Sequence, residues 1–196
     1  MTDASAGEDF TPVTVTLRGG RRVTLRPIRP DDGESLQAAV VGLSAEARYL
    51  RFMGHLKELS PGMLERAVHP APGRDLALVA LADPADEGAE ARVVGGARYI
   101  ADREGRTCEF AVAVADDWSG MGLAARMMKE LIRSASARGL KVMEGFILAN
   151  NTPMRNLARR LGFESGASSE GPGVVRVWLD LGSGTPDGAP GRPVPA

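Results

Sequence analysis

Along the chain the apolar positions change period several times, and each change marks an element. Val13, Val15 and Leu17 alternate with Thr14, Thr16 and Arg18; Gly19 and Gly20 follow, and Val23 and Leu25 resume the alternation. Two alternating runs joined by a two-residue glycine turn predict a β-hairpin. Pro30, Asp31 and Asp32 then open a helix with Leu36, Ala39, Val40 and Leu43 as its buried stripe, since apolar residues three and four apart share a helical face. Ser44 opens a second helix holding Tyr49, Leu50, Phe52 and Met53. Ser60 and Pro61, a cap and a first-position residue, open a third through Leu64 and Val68.

Leu76–Leu81 is apolar throughout and reads as a fully buried strand. The acidic loop at 83–90 leads to a second strand, Arg92–Ile100, and a third follows at Glu109–Ala115. Short connections make these three antiparallel. After the turn Asp116-Asp117-Trp118 comes the loop Ser119–Ala124, then a helix with Leu123, Met127, Met128, Leu131, Ile132 and Ala135 at helical spacing and Gly139 at its C-terminal cap. A helix of that length crosses over to Val142–Leu148 and makes that strand parallel to the Glu109 strand. Asn150-Asn151-Thr152-Pro153 opens a last helix with Met154, Leu157, Ala158 and Leu161 inward and Gly162 as cap, and Val175, Val177, Leu179 and Leu181 alternate as a final strand. The prediction is one α/β (α+β) domain over residues 12–181: a mixed, mostly antiparallel sheet flanked by helices. Residues 1–11 read as a disordered lead-in and 182–196 as a Gly/Pro-rich disordered tail.

Composition narrows the classes of function. At 196 residues and 43% hydrophobic, the chain suffices for one substantial core. A net charge of -1 gives no general attraction to nucleic acid or membrane, and no apolar run approaches the ~20 residues of a membrane span. The single cysteine excludes an intrachain disulfide. Together with an acidic N-terminus lacking a signal pattern, it makes the cytoplasm the expected compartment. One Cys and two separated His argue against a metal site.

The strand–glycine loop–helix unit carries the chemistry. The first turn of a helix holds backbone N–H groups without internal partners, and glycines there let an anion approach them. Gly120, Gly122 and Ala125 match the dinucleotide pattern G-x-G-x-x-A, with Glu144 near the place of its ribose-binding acid. Against that reading, four residues separate the loop from the strand, a long antiparallel-type stretch precedes it, and Glu144 falls inside its strand.

Ser119-Gly120-Met121-Gly122-Leu123-Ala124 also resembles the Q/R-x-x-G-x-G/A motif of the GNAT superfamily of acyl-CoA-dependent N-acetyltransferases, with Ser119 at the Q/R position. The segment LANNTPMRNLARRLGF resembles that family's A-E-N-x-x-M-x-x-x-x-x-x-L-G-F segment, and the element order over residues 12–181 agrees. RPIRPDD, SAEARYLRF, EFAVAVADDW and ARRLGF look closest to the bacterial protein lysine acetyltransferases.

The resemblance implies acetyl-CoA as cosubstrate, bound in a cleft between the two parallel central strands. Its pyrophosphate would lie on Ser119, Gly120, Met121, Gly122, Leu123 and Ala124, and its pantetheine arm along Val112 and Val114. Asn151 would contact it too, although helix capping alone explains an asparagine there. One of Arg155, Arg159 and Arg160 is a candidate for the ribose phosphate, against a plain solvated face. Tyr49, Arg51 and Phe52 would border the acceptor, with core packing as the alternative for Tyr49 and Phe52.

Glu109 corresponds to the family's general base. It shares a strand face with Ala111, Ala113 and Ala115, where apolar surroundings would raise its pKa; the competing reading is a structural ion pair with Arg98. Ala158 stands where many relatives carry a tyrosine that protonates the leaving thiolate. The implied acceptor is a primary amine, foremost a protein lysine. A small-molecule amine and a non-catalytic acyl-CoA sensor are the alternatives.

Overall fold

The computed structural model describes residues 10–83 and 91–182. Most of the expected lead-in, the acidic loop and the tail lies outside them. Phe10 belongs to the packed chain, however: it is 3% exposed, beneath the guanidinium of Arg133. The domain therefore starts at least two residues earlier than expected, because an aromatic ring with apolar surface to bury holds its segment down.

The described residues form strands β1 (Val13–Thr16), β2 (Arg22–Pro27), β3 (Leu76–Ala82), β4 (Arg92–Ala101), β5 (Thr107–Val114), β6 (Val142–Leu148), β7 (Glu164–Ala167) and β8 (Val174–Asp180). The helices are α1 (Gly33–Gly42), α2 (Ala45–Phe52), α3 (Pro61–Val68), α4 (Leu123–Ala137) and α5 (Thr152–Arg160). The strands make one sheet in the order β1-β2-β3-β4-β5-β6-β8-β7.

Every neighbouring pair is antiparallel except β5–β6, which α4 connects. That pair is also short: Thr107, Cys108 and Glu109 oppose Val142, Met143 and Glu144, and there the pairing stops. Beyond it β5 stays on β4 as far as Val114, and β6 stays on β8 as far as Leu148. The sheet consequently opens into a V with Glu109 and Glu144 at its vertex. Phe110 wedges the vertex from the opposite face. A Cβ on Gly145 would lie 2.6 Å from its ring, so only glycine lets the ring cross β6, and Phe163 meets it edge-on at 5.2 Å.

Helix boundaries follow local chemistry. The side chains of Ser44, Ser60 and Asn151 accept the N–H groups of Ala47, Met63 and Met154. Gly139 and Gly162 take positive φ after α4 and α5, with Leu140 N–H donating to Ala135 and Phe163 N–H to Ala158. Leu123, Met127, Met128, Leu131 and Ala135 of α4 are buried against β4 and β5.

Three expectations need correction. The β1–β2 connection is not a two-residue turn: Thr16 pairs with Arg22, and Leu17 N–H reaches Arg21 O at 2.8 Å around a longer loop. Both glycines take positive φ, but Arg18 N–H is drawn to Met121 O at 3.2 Å, so the tip folds toward the glycine loop. Pro30–Asp32 forms a 3-10 turn before α1, where Asp32 receives two guanidinium bonds from Arg26 at 2.6 and 2.7 Å. Finally, β7 was not expected; its Glu-Ser-Gly-Ala sequence has no alternation, and it forms as an edge strand because β8 offers a free side.

Candidate active site

The backbone around the glycine loop follows from its two glycines. Gly120 and Gly122 have φ of 76° and 93°, and Gly122 serves as the N-cap of α4 without any side-chain cap. A Cβ at either position would meet nothing within 4 Å. The glycines are thus required by conformation, and the space above them is open to a ligand. The uncapped start of α4 faces that space with unpartnered N–H groups and the positive end of its dipole.

The loop is clamped from outside. Asp116 accepts both N–H and Oγ–H of Ser44 at 2.8 Å, tying it to the start of α2. Asp117 accepts Arg92 at 2.6 Å, and its carbonyl accepts Arg21 at 2.8 Å. Arg21 also stacks 3.6 Å from the ring centre of Trp118, which is 3% exposed.

A cleft of about 950 Å³ runs from this loop to the vertex of the V. Val112, Val114, Ser119, Gly120, Gly122, Leu123, Ala124 and Asn151 line it; Met121 does not. Met121 instead turns toward the β1–β2 loop, its carbonyl accepting Arg18 N–H and its sulfur accepting Arg21. Leu123 is 1% exposed, its side chain in the core, leaving its backbone for the cleft. Asn151 caps α5 through Oδ1, and its Nδ2 has no partner among the described residues.

Of the three arginines on α5, Arg160 lines the cleft, whereas Arg155 donates to Ala149 O and Arg159 to Asn156. Arg18 and Phe146 line it as well, and no local pattern in the sequence points to either. Ala158 is 1% exposed, inside the core. Arg51 and Phe52 reach the cleft, but Tyr49 is 37% exposed and stacks on His55.

Glu109 lines the vertex end, on the face turned to α1–α3, and remains open to solvent. No cation among the described residues comes within 4.0 Å of it, so the expected alternative of a contact ion pair with Arg98 does not hold. Loss of hydration raises its pKa above the ordinary glutamate value. The negative charges of Glu144 and Glu170 add to that rise, while Arg51 and Arg98 act against it from longer range. Arg51 is itself pushed down to about 10 by burial and by Arg98, with Glu109 opposing. Glu144 is engaged differently, receiving Arg176 at 2.6 and 2.7 Å.

Cys108 is 1% exposed, and burial pushes its thiol up to about 12, so it is no nucleophile at neutral pH. His69 lies 3.1 Å from the Glu65 carboxylate of α3 and does not line the cleft. No group of three or more metal-ligating side chains occurs among the described residues, and none of their helices is long and apolar enough to cross a membrane.

A family model described as an acetyltransferase (GNAT) domain matches residues 22–164. An acetyltransferase of Pseudomonas aeruginosa is 39% identical over 148 residues, covering 76% of this chain and 78% of that protein. The acetyltransferase Pat of Mycolicibacterium smegmatis is 31% identical over 173 residues, 88% of this chain but only 50% of that protein, so the chain spans half of that relative's length. Among solved structures, the GNAT domain of S. lividans PAT superposes with a TM-score of 0.77 at 26% identity, over 86% of this chain and 96% of that one.

Proposed function

The chain belongs to the GNAT acetyltransferase family, and on that premise we propose that it acetylates protein lysine side chains with Glu109 as general base. Acetyl-CoA-dependent N-acetyl transfer is the activity of the family; the acceptor and the residue roles are our reading. The dinucleotide alternative is set aside by the family match and by Glu144, whose carboxylate is held by Arg176.

Transfer of acetyl from sulfur to nitrogen needs a neutral amine, and lysine is protonated at neutral pH with a pKa near ~10.4. The proton passes to the Glu109 carboxylate, directly or through one water. The amine nitrogen forms its bond to the acetyl carbon, the carbon–sulfur bond breaks as the thiolate leaves, and the nitrogen, cationic in the adduct, gives its second proton to solvent. The thiolate takes its proton from water, because Ala158 supplies no acid. A carboxylate with raised pKa suits the first step, being more basic than a solvated glutamate.

The observation that carries this reading is Glu109 itself: an accessible carboxylate at the vertex of the splayed strands, without a contact partner among the described residues. For the cosubstrate, the fit rests on the uncapped N-terminus of α4 above the open space at Gly120 and Gly122. Of the expected loop residues, the side chain of Met121 has no part in that fit.

One observation favours a second reading, a small-molecule amine acceptor. A further cavity of about 380 Å³ opens beside Glu109, which a lysine stem reaching in from a protein surface would leave unfilled. Incubating the protein with acetyl-CoA and a panel of peptides and small amines, with free thiol and acetylated product as readouts, separates the two. Acetylated lysine peptides support the first reading; turnover confined to small amines supports the second. No thiol release with any amine contradicts both.

A further inference from the structure

The second cavity lies between the sheet and α1–α3 and meets the cleft at Glu109, Ala111 and Ala113. Small residues such as Gly96, Ala111 and Ala113 leave it room on the sheet side, and Leu36, Phe52 and Met63 cover it with apolar surface. Into this apolar space come four charged side chains: Arg51 from α2, Arg66 from α3, Arg98 from β4 and Glu109 from β5.

The balance of charge is unusual for this protein. Other half-buried arginines have a carboxylate: Arg26 pairs with Asp32, Arg126 with Glu130, and Arg176 with Glu144. Arg51, Arg66 and Arg98 have no hydrogen bond or ion pair with any described residue. Asp75, the acid nearest in influence to Arg98, already accepts Arg74 and the N–H of Ala101. Arg51 and Arg98 are half-buried, and both are depressed by that burial. Cations drawn from water into an apolar space are normally neutralised by a partner; here, among the described residues, Arg51 lies 4.8 Å from the centre of the Phe52 ring, and the carboxylates of Glu109 and Asp75 act on the pair only from long range. A protonated amine entering alone would meet the like charges of Arg51 and Arg98. An amine that brings its own carboxylate would not.

We infer that the acceptor carries a carboxylate within reach of its amine, paired by Arg51 and Arg98 while Glu109 takes the amine's proton, and an apolar portion that fills the cavity. This deepens the proposed N-acetyl transfer and rests on it. The carboxylate has two sources: a free amino-carboxylate, or an acidic side chain flanking a protein lysine.

The test compares matched acceptors. Turnover is measured for 6-aminohexanoate against hexylamine, for leucine against 3-methylbutylamine, and for lysine peptides flanked by Glu against Gln. Independently of turnover, hexanoate and hexanamide are titrated into the CoA-saturated protein by calorimetry. Charge-assisted pairing predicts a preference of roughly 10- to 100-fold for the carboxylate member, and tighter binding of hexanoate than of hexanamide. Both differences should collapse in Arg51→Met and Arg98→Met and return in part in Arg51→Lys. Preference among the free amines assigns a small amino-carboxylate; preference confined to the peptides assigns an acidic neighbour of lysine. The inference is overturned if no matched pair differs and hexanoate binds no better than hexanamide, or if the preference survives in both methionine variants. Failure of the Glu109 assignment reads out differently: Glu109→Gln would then turn over normally while the hexanoate preference stood.

Discussion

Glu109 and Glu144 stand opposite one another in the only parallel register of the described sheet, and Arg176 holds Glu144 alone, at 2.6 and 2.7 Å. Two adjacent carboxylates at the vertex thereby receive different environments. One is paired with a guanidinium whose Nε and Nη2 both donate to its Oε2 and which lies 5.3 Å from the centre of the Trp178 ring, and the other is left facing the cleft. Environments that separate two like groups are how one site obtains a base poised above its ordinary pKa.

The first prediction concerns that asymmetry. Around Glu109 the charged groups are Glu144 on β6, Glu170 in the β7–β8 connection, Arg51 on α2 and Arg98 on β4. Arg176→Met leaves the Glu144 charge uncompensated beside Glu109, and like charge disfavours the ionised form. The acid limb of the pH–rate profile should therefore move to higher pH, with the plateau at high pH retained. An unmoved limb would show that Glu144 does not influence the group that titrates in turnover.

A second prediction addresses the glycine loop. Gly122→Ala forces a side chain to φ 93° and should cost about 1–2 kcal/mol of stability. Gly122→Asp tolerates that backbone at least as well, but it places a negative charge where the pyrophosphate is proposed to lie. Acetyl-CoA affinity, measured by calorimetry, should be at least about tenfold weaker for the aspartate variant than for the alanine variant, with the gap narrowing in high salt. Equal affinities would contradict pyrophosphate binding at this turn.

How much of this was legible in the sequence depended on whether the signal was local. Periodicity placed α4 and β3, because Met127, Met128 and Leu131 repeat at helical spacing and Leu76–Leu81 is unbroken. Asn151 was legible as a cap, and Glu109 as the odd carboxylate among alanines. Phe10 and β7 were not legible, since one is a single anchoring ring and the other an edge strand whose partner supplies its order. The meeting of Arg51 with Arg98, and of Glu144 with Arg176, joins residues far apart in the chain, so only the register of the sheet reveals which carboxylate is partnered.

The buried pair ahead of α1 yields a prediction on stability. Arg26 and Asp32 have side chains only 14% and 8% exposed, and Asp32 also accepts Arg29 N–H at 2.7 Å. Burial alone would raise the Asp32 pKa, but the bonds from Arg26 and Arg29 and their charges carry it below the ordinary value. A lowered folded pKa means that the unfolded chain binds the proton more readily. The stabilisation is thus complete above the ordinary aspartate range and is lost as pH falls through the folded pKa. Asp32→Asn should cost about 3 kcal/mol in denaturant unfolding at neutral pH, the scale of an uncompensated buried charge, and the difference should shrink in acid. A constant difference down to low pH would contradict the assigned charge pairing.

The most direct measurement is the turnover of Glu109→Gln against wild type with any acceptor the protein acetylates, over a range of pH. The glutamine keeps the shape of the side chain but accepts no proton. Acetyl-CoA affinity should stay near that of wild type, while turnover falls by roughly 10²–10⁴-fold. The wild-type rate should rise through a limb above the ordinary glutamate range, because Glu109 is raised, and that limb should vanish in the variant. Turnover within a few-fold of wild type, with the limb intact, would contradict the assignment of Glu109 as the base.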